Sequence, residues 1–349
     1  MKLAILNDTH CGVRNSSDIF IDYQRRFYED VFFPELKRRG ITHIVHLGDY
    51  YEHRRYINFK AMSENRSHFL DMLQKYDIKM KIIPGNHDIY YKNSNELNSL
   101  VEIMGHHPQV EIIEQPTVIF NTIMLVPWLN NNNYRKFLSE VEATQVPYCM
   151  GHFEFKGFDM HRGQPSSSGM SISNFSHFDK VMSGHFHAKS CKQNIHYLGS
   201  QFEFTWSDVN DNKYFHIFDT ETGELEPVRN PDTMFHLVMY NDRDYDYDSY
   251  DVSVLDNKFV HVVVSEKRHV DVYNRFIDRI EARPIHDLTI SDPVAVFKGE
   301  NVDTDTKFLE TKDMINDYVD VTQTHLDKAV LKDRLQELYV LAQTEGDKS

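Results

Sequence analysis

The chain has 349 residues, 40% of them hydrophobic and 26% charged, and a formal net charge of −15. That length predicts two or three domains with ample material for a core, and no stretch approaches the ~18 apolar residues of a membrane helix. The acidity excludes capture of nucleic acid through a general basic surface, though not contact with phosphate through bound cations. Cys11, Cys149 and Cys191 are too scattered for a disulfide framework, which points to a reducing cytosol. The opening Met1–Asp8 is too short in apolar residues for a secretion signal and reads as a buried first strand.

In chain order, short apolar runs alternate with helical stretches. Strands are predicted at Lys2–Leu6, His43–Leu47, Met80–Ile83, Val110–Ile113, Ile123–Val126, Tyr148–Met150, Val181–Ser183, Ile195–Leu198 and Tyr214–Phe218. Between the early ones, Phe20, Tyr23, Phe27 and Val31 step at helical spacing, as do Phe59, Met62, Phe69, Leu73 and Tyr76. The plain reading of both stripes is core packing in an α/β layer architecture. Asn130–Asn133 and Gly163–Gly169 read as mobile loops, and the Asp/Tyr alternation of Asn241–Asp251 as a linker. A strand at Lys258–Ser265, a helix near Val270–Ala282 and a strand near Asp287–Ile290 then suggest a small α+β domain. Last comes a helical region whose Leu331, Leu335, Leu338 and Ala342 form an apolar stripe needing a surface to cover it. The expected domains are 1–235, 252–298 and 306–345.

The residues just past the strand ends carry the chemistry. Lys2–Leu6 runs into Asp8-Thr9-His10, His43–Leu47 into Gly48-Asp49, and Met80–Ile83 into Gly85-Asn86-His87-Asp88. Tyr148–Met150 runs into Gly151-His152, and Val181–Ser183 into Gly184-His185-Phe186-His187. Ligands of α/β sheets bind beyond the carboxyl ends of strands. Asp, Asn and His without thiolate form a hard-to-borderline donor set, suited to manganese, iron or zinc. So many donors exceed one open site and suit two ions sharing a carboxylate, the arrangement that clamps both oxygens of a phosphoryl displacement.

These five motifs resemble those of the calcineurin-like metallophosphoesterase superfamily over roughly the first 220 residues. Within it, Asp8-Thr9-His10-Cys11-Gly12, Gly48-Asp49-Tyr50-Tyr51 and Tyr197-Leu198-Gly199-Ser200 look like the SbcD-type double-strand-break repair nucleases, particularly the recombination endonuclease subunits of T-even-like phages. The resemblance implies a four-layer sandwich, two mixed sheets flanked by helices, with a small α+β capping domain and C-terminal helices. It implies one ion on Asp8, His10 and His187, a second on Asn86, His152 and His185, and Asp49 bridging them; manganese is the expected metal, with magnesium as the alternative. His87 would face the scissile phosphate as the catalytic histidine, and Asp88 would orient it. Glu52 stands where many relatives carry a histidine, so either the neighbouring His53 takes that role or the role is absent. Gln201 also replaces a common proline. His53, Arg54 and Arg55 are candidate DNA contacts.

The implied activity is a metal-dependent 3′-to-5′ exonuclease on duplex ends and a single-strand endonuclease, in the cytoplasm of a bacterial host if phage-encoded. The implied partners are DNA and an SbcC-like coiled-coil ATPase docked on 306–345, with a homodimer inside a heterotetramer. The Phe20–Val31 and Phe59–Tyr76 stripes are candidates for the dimer face. Two rival readings remain. One is a metallophosphoesterase acting on phosphoproteins or cyclic nucleotides, for which the extra 120 or so residues have no use. The other is a non-catalytic scaffold, which would not be expected to keep every ligand position.

Overall fold

Side-chain alternation along Lys2–Leu6 decides the architecture. Leu3 and Ile5 enter one core while Ala4 and Leu6 enter another, so this strand is buried on both faces. Val45 and Ile44 divide in the same way, as do Met150 and Cys149, and Met182 and Val181. A chain patterned like this needs a layer on each side of each sheet.

The computed structural model describes residues 1–161 and 164–292, with the isolated helical positions 328, 332 and 334. Apart from those positions, the expected docking region 306–345 lies outside the described residues, as does 293–298. Met1–Asp292 is one compact unit.

The first sheet runs Leu225–Arg229, Tyr214–Asp219, Lys2–Leu6, His43–His46, Lys79–Ile82, Val110–Ile112. Its last four strands are parallel, and Tyr214–Asp219 pairs antiparallel with Lys2–Leu6. The second runs Ser190–Lys192, Ile195–Tyr197, Lys180–Ser183, Tyr148–Gly151, Ile123–Val126, Thr117–Ile119, parallel except at its edges. Leu3, Ile5, Val45 and Phe218 of one sheet meet Leu125, Met150 and Met182 of the other in a shared central core. Helices close the outer faces, completing the expected four layers.

The helix layer over the first sheet is aromatic. Asp18–Arg26 continues through a π-helical stretch, Phe27–Phe32, into Phe33–Arg39, and ends at Gly40 with a left-handed φ of 67°. The π turn lets both Phe27 and Phe32 face inward, where they meet Phe69, Phe202 and Phe215. Phe20, Tyr23 and Phe27 are therefore core of this chain, not a surface for a second copy. Phe59 departs from its stripe and is 82% exposed. It is the first residue of its helix, just past the cap where Asn58 Oδ1 accepts from the Lys60 and Ala61 amides, and that turn lies beyond the sheet.

Two expected loops are ordered by their own side chains. Asn130 Oδ1 accepts from the amides of Asn132 and Asn133, while Asn133 Oδ1 accepts from the Asn130 amide. The Asp/Tyr stretch is likewise packed. A small parallel sheet of Phe235–Asn241, Phe259–Glu266 and Asp287–Ser291 is covered by the helix Val270–Glu281, and Tyr240, Tyr247 and Tyr250 fill the core beneath it with Phe276. Tyrosine rings supply the apolar area there, which a reading by charge alone overlooks.

Glu35 ties the outer helix to the sheet edge: it accepts from Arg38 and Arg39, and Arg39 reaches on to Glu226. The hydrogen bond from Arg38 is the largest influence, and with Arg39 it outweighs burial and holds the Glu35 carboxyl down to about 2. A depressed carboxyl contributes stability above its unfolded value and loses it as pH falls toward the folded one. Glu35→Gln should thus lower the urea midpoint at neutral pH, and the deficit relative to the parent should shrink between about pH 5 and pH 3. A deficit independent of pH would assign the effect to packing instead.

Candidate metal centre

Seven of the side chains singled out at the strand ends, Asp8, His10, Asp49, Asn86, His152, His185 and His187, meet in one cup. Asp8, His10 and His187 bring donor atoms within 4.8 Å of one another, and so do Asp49, His152 and His185. His10 Nε2 lies 3.2 Å from His187 Nε2, and each is within 3.9 Å of Asp8 Oδ1. In the other group, His152 Nε2 is 3.2 Å from Asp49 Oδ2 and 3.0 Å from Asn86 Oδ1. Asp49 Oδ2 is also 3.9 Å from His10 Nε2, so this one oxygen faces both groups.

The backbone is bent to achieve this. Asp8, His10, Asp49 and His185 all adopt positive φ, between 45° and 85°, a region that non-glycine residues rarely occupy. The strain is held by hydrogen bonds between the first two loops: the Asp8 amide to the Gly48 carbonyl, His10 to Asp49, and Cys11 to Tyr50. Glycine is required where the second and third loops cross. A Cβ on Gly85 would lie 2.2 Å from Asp49 Oδ1 and 2.4 Å from the Asp49 amide nitrogen. Gly48, at φ 92°, faces the Gly85 amide at comparable range.

Electrostatics define what the cup lacks. Burial pushes the Asp8 carboxyl up, and the Asp49 charge adds to that while His152 and His10 oppose it. For Asp49, burial is outweighed by the charges of His152 and His87, which keep its carboxyl well below the usual range. Burial works against charge on His10 and His152 too, yet Glu52, Asp49 and Asp8 raise the first to about 9, and Asp49 and Asp8 raise the second to about 9. Burial drives His185 down to about 3 and also holds His187 well below the usual histidine range. The buried carboxylates therefore favour positive charge on the imidazoles beside them. Donors held ~2.0–2.2 Å from a common ion stand ~3–3.5 Å apart, and the spacings above are close to that. Imidazole, amide and carboxylate in this mixture fit divalent first-row ions.

His87 sits beside the cup, its ring edge-on to His10 at 4.9 Å. Its orientation corrects one expectation. His87 Nδ1 lies 2.6 Å from the Glu52 carbonyl, whereas the Asp88 carboxylate accepts from the backbone amides of Tyr50, Tyr51 and Gly85. Asp88 thus clamps one loop to another, and the carbonyl of Glu52 orients His87. Burial, together with the Asp49 charge, raises the Asp88 carboxyl to about 6.

Glu52 is the residue the sequence undervalued. Its Oε2 is 2.8 Å from His10 Nδ1, so one residue holds both His10 and His87. The loop has not shifted to let His53 take that place. His53 stacks on Tyr56 at 4.4 Å and lines the cleft, with a buried Nε2 that finds no partner among the described residues. Arg54 is partly buried with Nη1 likewise unpartnered, and Arg55 lies over the Tyr90 ring at 5.6 Å. Gln201 is buried and donates to the Asp8 carbonyl.

Two further residues escaped the sequence reading. Phe204 walls the cup against His10 and His187, at 5.3 Å from each ring. Trp128 packs on His152 and His185 from the other side. Trp128 comes shortly after the strand Ile123–Val126, so the strand-end rule applied once more would have marked it. The cup opens into a cleft of about 660 Å³, whose rim includes Arg14 and Lys189 together with Asp159 and Asp211.

The calcineurin-like phosphoesterase family model matches residues 1–189, and the chain belongs to that family. Exonuclease subunit 1 of Enterobacteria phage T4 is 28% identical over 354 residues, spanning 98% of this chain and 99% of that protein. Among solved structures, an archaeal phosphodiesterase aligns over 66% of this chain and 100% of its own, at 13% identity and a TM-score of 0.32. The nuclease MPE of Pseudomonas putida covers 65% and 87% respectively, at 13% identity and a TM-score of 0.29.

Gly85→Ala should displace Asp49 and weaken divalent binding by about 10–100-fold, the usual cost of disturbing a ligand's support. Gly40→Ala, where a Cβ meets nothing within 4 Å, is the control: it should cost some stability and leave binding unchanged. Titration calorimetry on both variants decides; equal metal affinity would place the ion elsewhere.

Proposed function

We propose that this chain is the nuclease subunit of a DNA-processing complex, a dinuclear metal-dependent phosphodiesterase. The observation that carries the reading is Asp49 Oδ2 facing both donor groups, a shared carboxylate between two ion sites. One ion would be held by Asp8, His10 and His187, the other by Asn86, His152 and His185, with Asp49 between them. The near full-length similarity to a phage exonuclease subunit supports DNA as the substrate class. Manganese suits the histidine-rich donor set better than magnesium.

When bound, the ions would supply Lewis acidity and positive charge at the phosphate. The chain's own groups do the rest. The Glu52 carboxylate, 2.8 Å from His10 Nδ1, pairs with that ring and leaves its Nε2 to the cup, and the Glu52 carbonyl lies 2.6 Å from His87 Nδ1. His87 Nε2 then stands toward the cleft, where a protonated ring donates to the departing oxygen. Asp88 keeps the loops in register rather than exchanging protons. His53 and Arg54, with buried unpartnered nitrogens, are the proposed contacts to the DNA backbone. Arg55 would contribute from its place on Tyr90.

At a net charge of −15 the chain releases few counterions on meeting duplex DNA and should bind it weakly alone. A partner that shares the DNA answers this. We assign that role to a coiled-coil ATPase of the SbcC kind, docking through 306–345, with two nuclease subunits in the assembly. The unit 1–235 would carry catalysis and 252–298 would cap the DNA. Among the described residues no helix is long and apolar enough to cross a membrane, which fits work in a bacterial host's cytoplasm.

The test is cleavage of end-labelled linear duplex with manganese or magnesium, with and without the ATPase, beside a phosphomonoester control. Cleavage of duplex from its 3′ ends in manganese is expected; turnover of the monoester alone would favour the phosphatase reading. In the same assay His87→Gln should lower turnover by about 10²–10⁴-fold while bound metal stays constant. Parallel loss of metal would remove His87 from the leaving-group role.

A further inference from the structure

A second hollow opens beside Trp128 and His152. It has a volume of about 250 Å³ and is lined by Trp128, Leu129, Tyr134, His152, Glu154 and Met170. That volume is below the range of a whole small-molecule site and is sized for a fragment with one flat ring system. Its wall is the half-buried Trp128 indole, whose centroid lies 5.3 Å from the His185 ring and 5.7 Å from the His152 ring. Both histidines belong to the same donor group, so whatever enters the hollow lies beside a phosphate held in the cup.

The backbone that carries the indole is well anchored. The Trp128 amide donates to the Pro84 carbonyl, just ahead of the Gly85-Asn86-His87 loop, at 2.9 Å. The Trp128 carbonyl accepts from Asn95 Nδ2 at 2.9 Å and from Asn133 Nδ2 at 3.0 Å, and Asn130 Nδ2 donates to Asn95 Oδ1 at 2.8 Å. The run of asparagines thus forms the clamp of an aromatic platform. Among the described residues the lining also contains a carboxylate, Glu154, and no Lys or Arg. A second phosphate is repelled there, whereas an uncharged ring with exocyclic amino groups finds a stacking face and an acceptor. Arg14 and Lys189 line the other cleft instead, where a phosphate backbone is better received.

We propose that this hollow is a subsite for the nucleobase adjoining the scissile phosphate, with Trp128 as its stacking wall. The proposal deepens the nuclease reading and rests on it. Stacking on an indole is tolerant of base identity, so the subsite would grip a frayed terminal nucleotide without selecting sequence.

The test compares manganese-dependent cleavage at a 3′ end carrying a normal terminal base with one whose terminal nucleotide is abasic. The parent enzyme should prefer the base-bearing end in kcat/KM by on the order of tenfold. Trp128→Ala should lose that preference through KM, Trp128→Phe should keep most of it, and bound metal should be unchanged in both. Failure of the parent to cut either end would overturn the nuclease reading; equal cleavage of both ends would overturn the subsite alone. Because Trp128 packs on two of the proposed ligands, a second readout avoids the alanine variant. The chain has two tryptophans, so Trp206→Phe leaves Trp128 as its one indole fluorophore. With manganese bound, thymidine monophosphate should quench it and deoxyribose phosphate should not. No quenching by the nucleotide, or equal quenching by both probes, refutes the stacking wall.

Discussion

Two carboxylates withdrawn from water, each 3.9 Å from the same His10 nitrogen, are the constraint on which the rest of this protein depends. Asp8 is fully buried and Asp49 nearly so, and a pair of that kind is costly unless positive charge is brought to it. The chain gathers imidazoles from loops far apart in sequence to meet that need, and the carboxylates raise His10 and His152 to about 9. Left-handed backbone at Asp8, His10, Asp49 and His185 is the conformational cost of aiming these groups inward. The double sheet helps to offset it, because Lys2–Leu6, His43–His46, Tyr148–Gly151 and Lys180–Ser183 are buried on both faces.

Much of this was legible from the chain. The strand-end clusters alone located the donor side chains that converge in the cup, since a motif of Asp, His or Asn directly after an apolar run fixes both the element and the end from which the side chain projects. The α/β layer architecture followed from the alternation of apolar runs with helical stretches. Contacts made across loops were not legible. Glu52 looked like a defect where a histidine was expected, and only the crossing of two loops shows its carboxylate against His10. Asp88 is next to His87 in sequence yet turns toward backbone amides instead, because consecutive residues in a tight turn point in different directions. Proximity along the chain was a poor guide there.

Composition misled in the same physical sense. Asn130–Asn133 and the Asp/Tyr stretch read as solvated because their side chains are polar. Asparagines can satisfy backbone amides and carbonyls as well as water does, and tyrosines bury most of their ring while leaving the hydroxyl a partner. Tyr247 shows both halves of this, stacked on Tyr240 and donating to the Met239 carbonyl. In each case local polarity was spent on ordering the chain.

The pairing of Lys2–Leu6 with Tyr214–Asp219 has a consequence for biosynthesis. The first strand to leave the ribosome lies in the interior of its sheet, and its antiparallel neighbour is made more than two hundred residues later. Asp8 and His10 must likewise wait for His185 and His187. During translation the nascent chain therefore carries an unpaired apolar strand and two uncompensated ligands, the condition under which chaperones are recruited and contacts of long sequence separation slow the final collapse. A host cell making this protein in quantity would feel that delay first at the level of yield, before any step of its chemistry.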